Sequence, residues 1–307
     1  MGRFDDRATQ PARGPKDLFR WRVIDRLAGK TPRDRSGFIT PVRPADPDAL
    51  RRLDASLTWI GHASFVLRLG GLVVATDPIF SMKIAGAVRR EVPPGVALAD
   101  VPPIDIVTVS HNHRDHLDLP TLRRIGPQAL YVVPLGNAEL LRGAGLPNVV
   151  ELDWWHSHRV GAVEITCVPA RHWSMRTPWN RNDALWGGFV VRAPEGVAYH
   201  SGDTAYFDGF ADIRARLGPI DWAMLPIGAY EPRWFMASQH MNPEDAGQAF
   251  LDLGARRFVA MHWGTFRLTD EPLGEPPERI RAFFRTRGIA DERLWVLDVG
   301  ENRRLDQ

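Results

Sequence analysis

The sequence predicts an α/β protein built as a four-layer αββα sandwich. Short apolar runs separated by turn residues recur in two series, and helical patterns accompany each series. Because a sheet that packs against a second sheet still has to cover its other face, helices are expected outside both sheets. We expect residues 56–307 to fold as one domain. Residues 1–55, which are rich in Arg, Asp and Pro, predict a partly extended N-terminal arm with one short helix.

The predicted elements follow the apolar runs along the chain. The first strand series covers residues 57–69, 72–76, 104–109, 130–133, 149–152 and 163–168. The second covers residues 187–192, 197–200, 222–226, 258–261 and 294–299. Helical patterns occupy residues 119–125, 138–144, 207–217, 243–253 and 277–287. The start of 243–253 is well marked, since Asn242 can cap the helix and Pro243 suits its first turn.

The amino-acid composition excludes several classes of protein. A chain of 307 residues with 44% hydrophobic content can bury a sizeable core. The formal net charge of +2 gives no strong signal for nucleic acid, which we do not expect as a partner. The single cysteine, Cys167, excludes an internal disulfide and a thiolate-rich metal site, and is typical of a reducing compartment. No apolar run reaches the roughly 20 residues of a membrane span. A cytoplasmic protein is predicted.

A dense group of potential metal ligands follows the predicted strand 104–109. His111, His113, Asp115 and His116 lie within six positions, and imidazole and carboxylate are the usual non-thiolate ligands of zinc and similar ions. The alternative is a polar turn whose histidines cap backbone groups. The pattern favours a site for two metal ions.

Three further candidate ligands each follow a predicted strand. They are His172, Asp203 and His262. A lone histidine after a strand is more often structural, but three such residues in series after a metal-like cluster favour ligation. His111, His113 and His172 could hold one ion and Asp115, His116 and His262 another, with Asp203 bridging both. His156, His158 and His200 have no comparable context and are interpreted as structural.

The order of these residues resembles the metallo-β-lactamase superfamily, whose αββα sandwich carries a binuclear metal centre on one edge. Over residues 55–300 the chain is also similar to the N-acylphosphatidylethanolamine-hydrolysing phospholipase D family. That similarity rests on the segments TWIGHASFVLRL, TDPIF, PARHWSMRTPWNRNDALWGGFVV, SGDTAYF, PIGAYEPRWFMASQHMNPEDA and MHWGTFRLTDEPLGEPP.

The resemblance implies two divalent ions, which we expect to be Zn²⁺, held by the seven ligands named above. It implies catalytic roles for Asp203, His240 and Asp77. His62 and Asp77 would orient ligand imidazoles, although Asp77-Pro78 also reads as a turn. His240 resembles the family position that contacts the substrate phosphate, and its alternative is a surface histidine. Gln239, Tyr230 and Trp234 are predicted to contact substrate.

The function implied by the resemblance is a phosphodiesterase of the phospholipase D type. It would hydrolyse N-acylphosphatidylethanolamine-like lipids to an N-acylethanolamine and phosphatidic acid, by attack on phosphorus of a hydroxide held between the ions. A lactonase with the same centre, acting on a sugar phosphate lactone or an acyl homoserine lactone, is the alternative. A lipid- or metal-binding protein without activity is the third class.

Aromatic residues in the segments around His172 and His240 predict contact with a membrane surface and an acyl groove. The alternative is that these residues are buried in the core or at a subunit contact. The predicted partners are therefore a phospholipid substrate, a peripheral membrane contact and a second copy of the chain in a homodimer.

Overall fold

Two seven-stranded sheets form the centre of the protein. The structure is a computed structural model that describes residues 2–9, 13–30, 34, 36–52 and 55–305. The strands are β1 Ser56–Gly61, β2 Ser64–Leu69, β3 Leu72–Thr76, β4 Lys83–Ile84, β5 Val88–Arg89, β6 Ile106–Thr108, β7 Leu130–Pro134, β8 Val149–Leu152, β9 Ser157–Val160, β10 Val163–Val168, β11 Gly188–Ala193, β12 Gly196–His200, β13 Trp222–Pro226, β14 Arg257–Met261, β15 Leu294–Trp295 and β16 Asn302–Arg304. The first sheet has the order β16-β1-β2-β3-β6-β7-β8 and the second β15-β14-β13-β12-β11-β10-β9. Strands β4 and β5 form a separate ribbon.

The helices are α1 Pro15–Phe19, α2 Pro47–Arg52, α3 Leu119–Ile125, α4 Ala138–Gly143, α5 Gly209–Leu217, α6 Arg233–Met236, α7 Pro243–Leu253 and α8 Glu275–Thr286. Helix α1 continues without a break into a π-helical segment, Arg20–Asp25. None of the described helices is long and apolar enough to cross a membrane.

The start of α7 shows how the local sequence fixes an element. Asn242 Oδ1 accepts a hydrogen bond from the Asp245 amide at 2.8 Å, and Asp245 Oδ2 accepts one from the Asn242 amide at 3.3 Å. Pro243 occupies the first turn, and Gly254 ends the helix with a φ of 58°. This reciprocal cap satisfies amides that have no partner within the helix. The predicted bounds of α7 are therefore confirmed.

The core lies between the two sheets. One apolar cluster joins inward side chains of the first sheet, such as Trp59 and Phe65, to those of the second, such as Ile165 and Phe189. A second cluster covers the outer face of the first sheet, where Tyr131 packs with side chains of α3 and α4. The predicted four-layer αββα sandwich is thus confirmed.

Several boundaries differ from the predictions. The single run 57–69 is the hairpin β1–β2, and the strand predicted over 294–299 is only Leu294–Trp295. Strands β9 and β16 were missed because both are edge strands whose residues are mostly polar. The arm has more helix than the one short segment predicted, since it contains α1 with its π-helical continuation, α2 and a 3₁₀ turn at Asp5–Arg7.

Candidate metal centre

The predicted ligands lie together at one edge of the sandwich, on loops that leave strands of both sheets. The first sheet supplies His62 after β1 and residues 111–116 after β6. The second sheet supplies His172 after β10, Asp203 after β12 and His262 after β14. Because the strand ends are fixed by their sheets, the loops present these side chains with little freedom.

One group of donors consists of three imidazoles. Nε2 of His111 lies 2.8 Å from Nδ1 of His113, and Nε2 of His172 lies 3.3 Å from the same Nδ1 atom. All three nitrogens lie within 4.8 Å of one another. Such spacing suits atoms that share one ion, since metal–nitrogen bonds of about 2 Å hold the ligands a few ångströms apart.

A second group combines imidazoles with a carboxylate. Asp115 Oδ2 lies 3.8 Å from Nε2 of His116 and 3.8 Å from Nε2 of His262. His62 is closer still, with its Nε2 at 3.3 Å from Asp115 Oδ2. His62 therefore contacts the carboxylate of a predicted ligand, whereas the sequence prediction had it orienting an imidazole.

Asp203 connects the two groups. Its Oδ2 lies 3.2 Å from Nε2 of His116 and 3.8 Å from Nε2 of His172, and its Oδ1 lies 3.0 Å from Nε2 of His262. The carboxylate is buried. One carboxylate within reach of imidazoles from both groups has the position that a bridging ligand requires.

Hydrogen bonds behind the cluster select which nitrogen of an imidazole faces it. Nδ1 of His116 donates to Asp77 Oδ2 at 2.6 Å, and Nδ1 of His172 donates to the carbonyl oxygen of Gln239 at 2.9 Å. When such a ring is neutral with its proton on Nδ1, its lone pair is on Nε2 and points into the cluster. Such outer partners orient metal ligands and raise their basicity.

Ser110 belongs to this outer layer and was missed from the sequence. Its hydroxyl donates to Asp77 Oδ2 at 2.6 Å and accepts from Nδ1 of His111 at 2.9 Å, so one serine serves a ligand and a ligand's partner. The only signal in the sequence is its position directly before His111, and serine is common in turns for other reasons.

Burial lowers the pKa of several imidazoles in the cluster. It lowers the pKa of His62 to about 3, with a further contribution from His262, and the pKa of His113 to about 3, with a further contribution from His172. Burial also lowers the pKa of His172 to about 4. These imidazoles are neutral at physiological pH, which is the form that binds metal.

The pKa values of His116 and Asp203 shift in the direction opposite to the effect of burial. Burial alone would lower the pKa of His116, but the carboxylates of Asp203 and Asp77 raise it well above its usual range. Burial would raise the pKa of Asp203, but His116 and His262 lower it well below its usual range. The carboxylates thus create a strong demand for positive charge at the centre, which a divalent ion can meet.

The backbone around the cluster is strained. His62, Asp77 and His262 have positive φ angles of 55°, 38° and 62°, a region that costs non-glycine residues free energy. The His262 amide donates to the carbonyl oxygen of His62 at 3.0 Å, which ties the loop after β14 to the turn after β1. The two sheets are therefore joined by a hydrogen bond directly at the cluster.

The unpaired atoms of the cluster test whether its residues fit a metal. Nε2 of His116, Nε2 of His262 and Oδ1 of Asp203 are buried and make no hydrogen bond. Leaving such an atom without a partner costs about 1–3 kcal/mol. Their mixture of nitrogen and oxygen donors is one that zinc, iron and manganese accept. The residues therefore fit the predicted metal centre.

A pocket opens above the cluster. His240 lines it, with Nδ1 3.9 Å from Asp203 Oδ2 and without a hydrogen-bond partner. Gln239 also lines it, and its Oε1 accepts from Nε1 of Trp173 at 2.7 Å. Phe235 and Met236 form part of its apolar wall.

Two of the predicted substrate contacts lie elsewhere. Tyr230 is fully buried, and its hydroxyl donates to Glu275 Oε1 at 2.7 Å. Trp234 does not line the pocket; it packs edge-on against Phe235, with the Arg20 guanidinium 4.4 Å from its ring centre. Neither residue lines the pocket, because the aromatic segment before His240 turns Phe235 and Met236 into it and these two rings away from it.

We expect Asp77→Asn to weaken metal binding by about 10- to 100-fold, the usual effect of losing an outer partner. The amide can present its NH₂ group to His116 Nδ1, which would favour the wrong tautomer of that ring. The measurement is competitive titration of the metal-free protein with a chromophoric chelator. Asp100→Asn, a change on a distant 3₁₀ turn, is the matched control, and equal affinities for the two variants would contradict the role assigned to Asp77.

Comparison with known proteins gives the class. Residues 73–263 match the beta-lactamase superfamily domain. The chain is 41% identical over 280 residues to an uncharacterized protein of Mycobacterium tuberculosis, covering 86% of this chain and 72% of the other. The structure is similar to that of Igni18, a metallo hydrolase from Ignicoccus hospitalis, with a TM-score of 0.62 and 23% identity, over 81% of this chain and 97% of that one. The protein is a metal-dependent hydrolase of the beta-lactamase superfamily.

A narrower match places it within that superfamily. The chain is 35% identical over 263 residues to the N-acyl-phosphatidylethanolamine-hydrolyzing phospholipase D 1 of Caenorhabditis elegans, covering 80% of this chain and 74% of the other. It belongs to the family of that relative.

Proposed function

We propose that this protein is a phosphodiesterase of the phospholipase D type that hydrolyses N-acylphosphatidylethanolamine-like lipids with two Zn²⁺ ions. The nematode relative is named for this reaction. The observation that carries the proposal is the pocket, in which a floor of metal-ligating side chains meets an apolar wall.

The lining of that wall suits a lipid. Trp21, Phe235, Met236 and Leu268 line the pocket together with the predicted ligands His113, Asp115, His172, Asp203 and His262. A phospholipid carries an anionic phosphate next to long apolar chains. The polar floor and the apolar wall match these two parts of one molecule.

Each of the two donor groups described above would hold one ion. His111, His113 and His172 form one set, Asp115, His116 and His262 the other, and Asp203 belongs to both. Bound there, divalent ions would supply Lewis acidity, which activates water near neutral pH and offsets charge on a phosphate.

The residues of the chain contribute orientation and charge. Asp77 holds the His116 ring through Nδ1, and Gln239 holds that of His172. The apolar wall excludes water from the phosphate, which strengthens every charge interaction inside the pocket.

His240 is the candidate hydrogen-bond donor to the substrate. Burial lowers its pKa well below the usual range, so the ring is neutral at physiological pH. A neutral imidazole still has one N–H group, and Nδ1, which makes no hydrogen bond, lies 3.9 Å from Asp203 Oδ2. It can donate to a phosphate oxygen or to the departing alkoxide.

We expect His240→Ala to lower kcat by about 10²- to 10³-fold, which is the usual effect of removing one hydrogen-bond donor that stabilises developing charge. Metal content should stay unchanged, because the other donors of each group remain. The measurement is kinetics on a phospholipid substrate together with elemental analysis. His158→Ala, on the edge strand β9 far along the second sheet, serves as control. A variant that loses metal instead would reassign His240 to the ligand set.

The proposal is tested by offering the metal-loaded protein N-acylphosphatidylethanolamine, unmodified phosphatidylethanolamine and an acyl homoserine lactone in parallel. We expect an N-acylethanolamine and phosphatidic acid from the first lipid, identified by mass spectrometry. Ring opening of the lactone without cleavage of either phosphodiester would overturn the proposal in favour of a lactonase.

A further inference from the structure

The helix of the N-terminal arm packs on the metal pocket through one face. This arm helix comprises residues 15–27, namely α1, its π-helical continuation and the residues that follow. Trp21 and Asp25, one turn apart, are buried. The Trp21 ring lies 4.9 Å from that of Phe235, and its Nε1 donates to Asp270. These contacts fix the arm helix against the wall of the pocket.

The opposite face of the arm helix is apolar and exposed. Phe19, Ile24 and Leu27 are 58%, 51% and 85% exposed, and Leu18 and Val23 are exposed as well. Five of the nine large apolar side chains that are exposed in the described part of the chain therefore belong to this one helix. An apolar patch of this kind on a monomer indicates an interaction surface.

Basic residues accompany the apolar ones. Residues 15–30 contain five basic residues, Lys16, Arg20, Arg22, Arg26 and Lys30, and two acidic ones, a formal net charge of +3 against +2 for the whole chain. Asp17 accepts a hydrogen bond from the Gly14 amide at 3.0 Å. Asp25 lies 4.0 Å from Arg20 and 3.8 Å from Lys30, and Asp270 lies 3.9 Å from Arg26. Basic residues therefore still outnumber their acidic partners around the exposed apolar face.

The arm helix also borders the pocket. Trp21 and Arg22 line the pocket, and the Arg22 guanidinium donates to the carbonyl oxygen of Leu268 at 2.9 Å. A molecule that lies on the apolar face is thus about one helix diameter, roughly 10–12 Å, from the pocket.

We propose that the arm helix docks the protein onto an anionic phospholipid bilayer, with the pocket entrance next to the membrane surface. The proposal rests on the proposed function, because it explains how a bilayer lipid would reach the centre. Exposed apolar side chains flanked by basic ones are the pattern of helices that lie in the interface of an anionic membrane. A second copy fits less well, since a twofold contact through this face would bring two groups of basic residues together.

The test compares vesicle binding of the full-length, metal-loaded protein and a triple variant, Phe19→Ser, Ile24→Ser and Leu27→Ser. Vesicles of phosphatidylcholine alone and of phosphatidylcholine with phosphatidylglycerol are sedimented with each protein. We expect the wild type to bind the anionic vesicles, with weaker binding at high salt, and the triple variant to bind at least about 10-fold less. The matched control is Ile39→Ser with Met82→Ser, which also replaces exposed apolar side chains and should bind as the wild type does.

Activity on a water-soluble phosphodiester, bis(4-nitrophenyl) phosphate, separates docking from chemistry. The triple variant should keep this activity while losing that on vesicle lipid. Equal vesicle binding by the triple variant and the wild type would overturn the docking proposal, as would a wild-type dimer that becomes monomeric in the triple variant without any vesicle binding. Vesicle binding without cleavage of any phosphodiester would instead support docking and overturn the proposed function.

Discussion

Asp203→Asn should lose about three orders of magnitude in kcat/KM on a phospholipid substrate, because removing Lewis-acid stabilisation costs several kcal/mol in the transition state. The amide has nearly the same shape but lacks the charge and one of the two acceptor oxygens. Both matter here, since Oδ2 of Asp203 lies near His172 of one donor group and His116 of the other, while Oδ1 lies near His262. Elemental analysis should find less than the wild-type metal content after gel filtration.

Asp208→Asn is the matched control for this substitution. It makes the same chemical change five residues later, at an exposed position before α5, and should leave activity and metal content unchanged. Circular dichroism of Asp203→Asn should report an intact fold. Wild-type metal content and activity in Asp203→Asn would show that this carboxylate does not bridge the two groups.

Removing the metal with a chelator should abolish activity and lower the melting temperature by several degrees. Any ligand that binds only the folded state stabilises it by mass action, by about 4 kcal/mol at a thousand times its dissociation constant. Here the effect also has a structural cause, because the unpaired atoms of His116, His262 and Asp203 lose their partner. The measurements are activity and thermal unfolding before and after dialysis.

Re-addition of single metal ions completes this experiment. Recovery with Zn²⁺, at two ions per chain, is the expected result and would support the proposed cofactor. Recovery with Fe²⁺ or Mn²⁺ alone would assign a different metal to the same residues. A chelator that leaves both the activity and the melting temperature of the wild type unchanged would contradict the metal-dependent role of the cluster.

The sequence predicted most of the scaffold and the members of the cluster. Strands such as β3, β8 and β13 have the predicted bounds because each is an apolar run between clear turn signals. Candidate ligands could be named because histidine and aspartate directly after strands are unusual in number here. The distances between these ligands could not be predicted. They depend on how the two sheets pack, and that packing involves side chains far apart in the chain.

The arm was the least predictable part. Its apolar residues Phe19, Trp21, Val23 and Ile24 were visible in the sequence, but their pattern does not say which face is covered. Only the position of Phe235 and Asp270 decides that Trp21 turns inward and its neighbours outward. The positions of Tyr230 and Trp234 could not be predicted for the same reason, because aromatic residues are equally suited to a core and to a binding surface.

The hydrogen bond from the His262 amide to the His62 carbonyl joins β14 of one sheet to β1 of the other at the point where the ligands meet. If the predicted ligands of both sheets bind the same ions, separating the sheets at this edge would break bonds to the metal. Loss of metal should therefore ease local opening at this edge, while the apolar core shared by the two sheets keeps them packed. Metal supply would in this way govern the cellular lifetime of the protein as well as its chemistry.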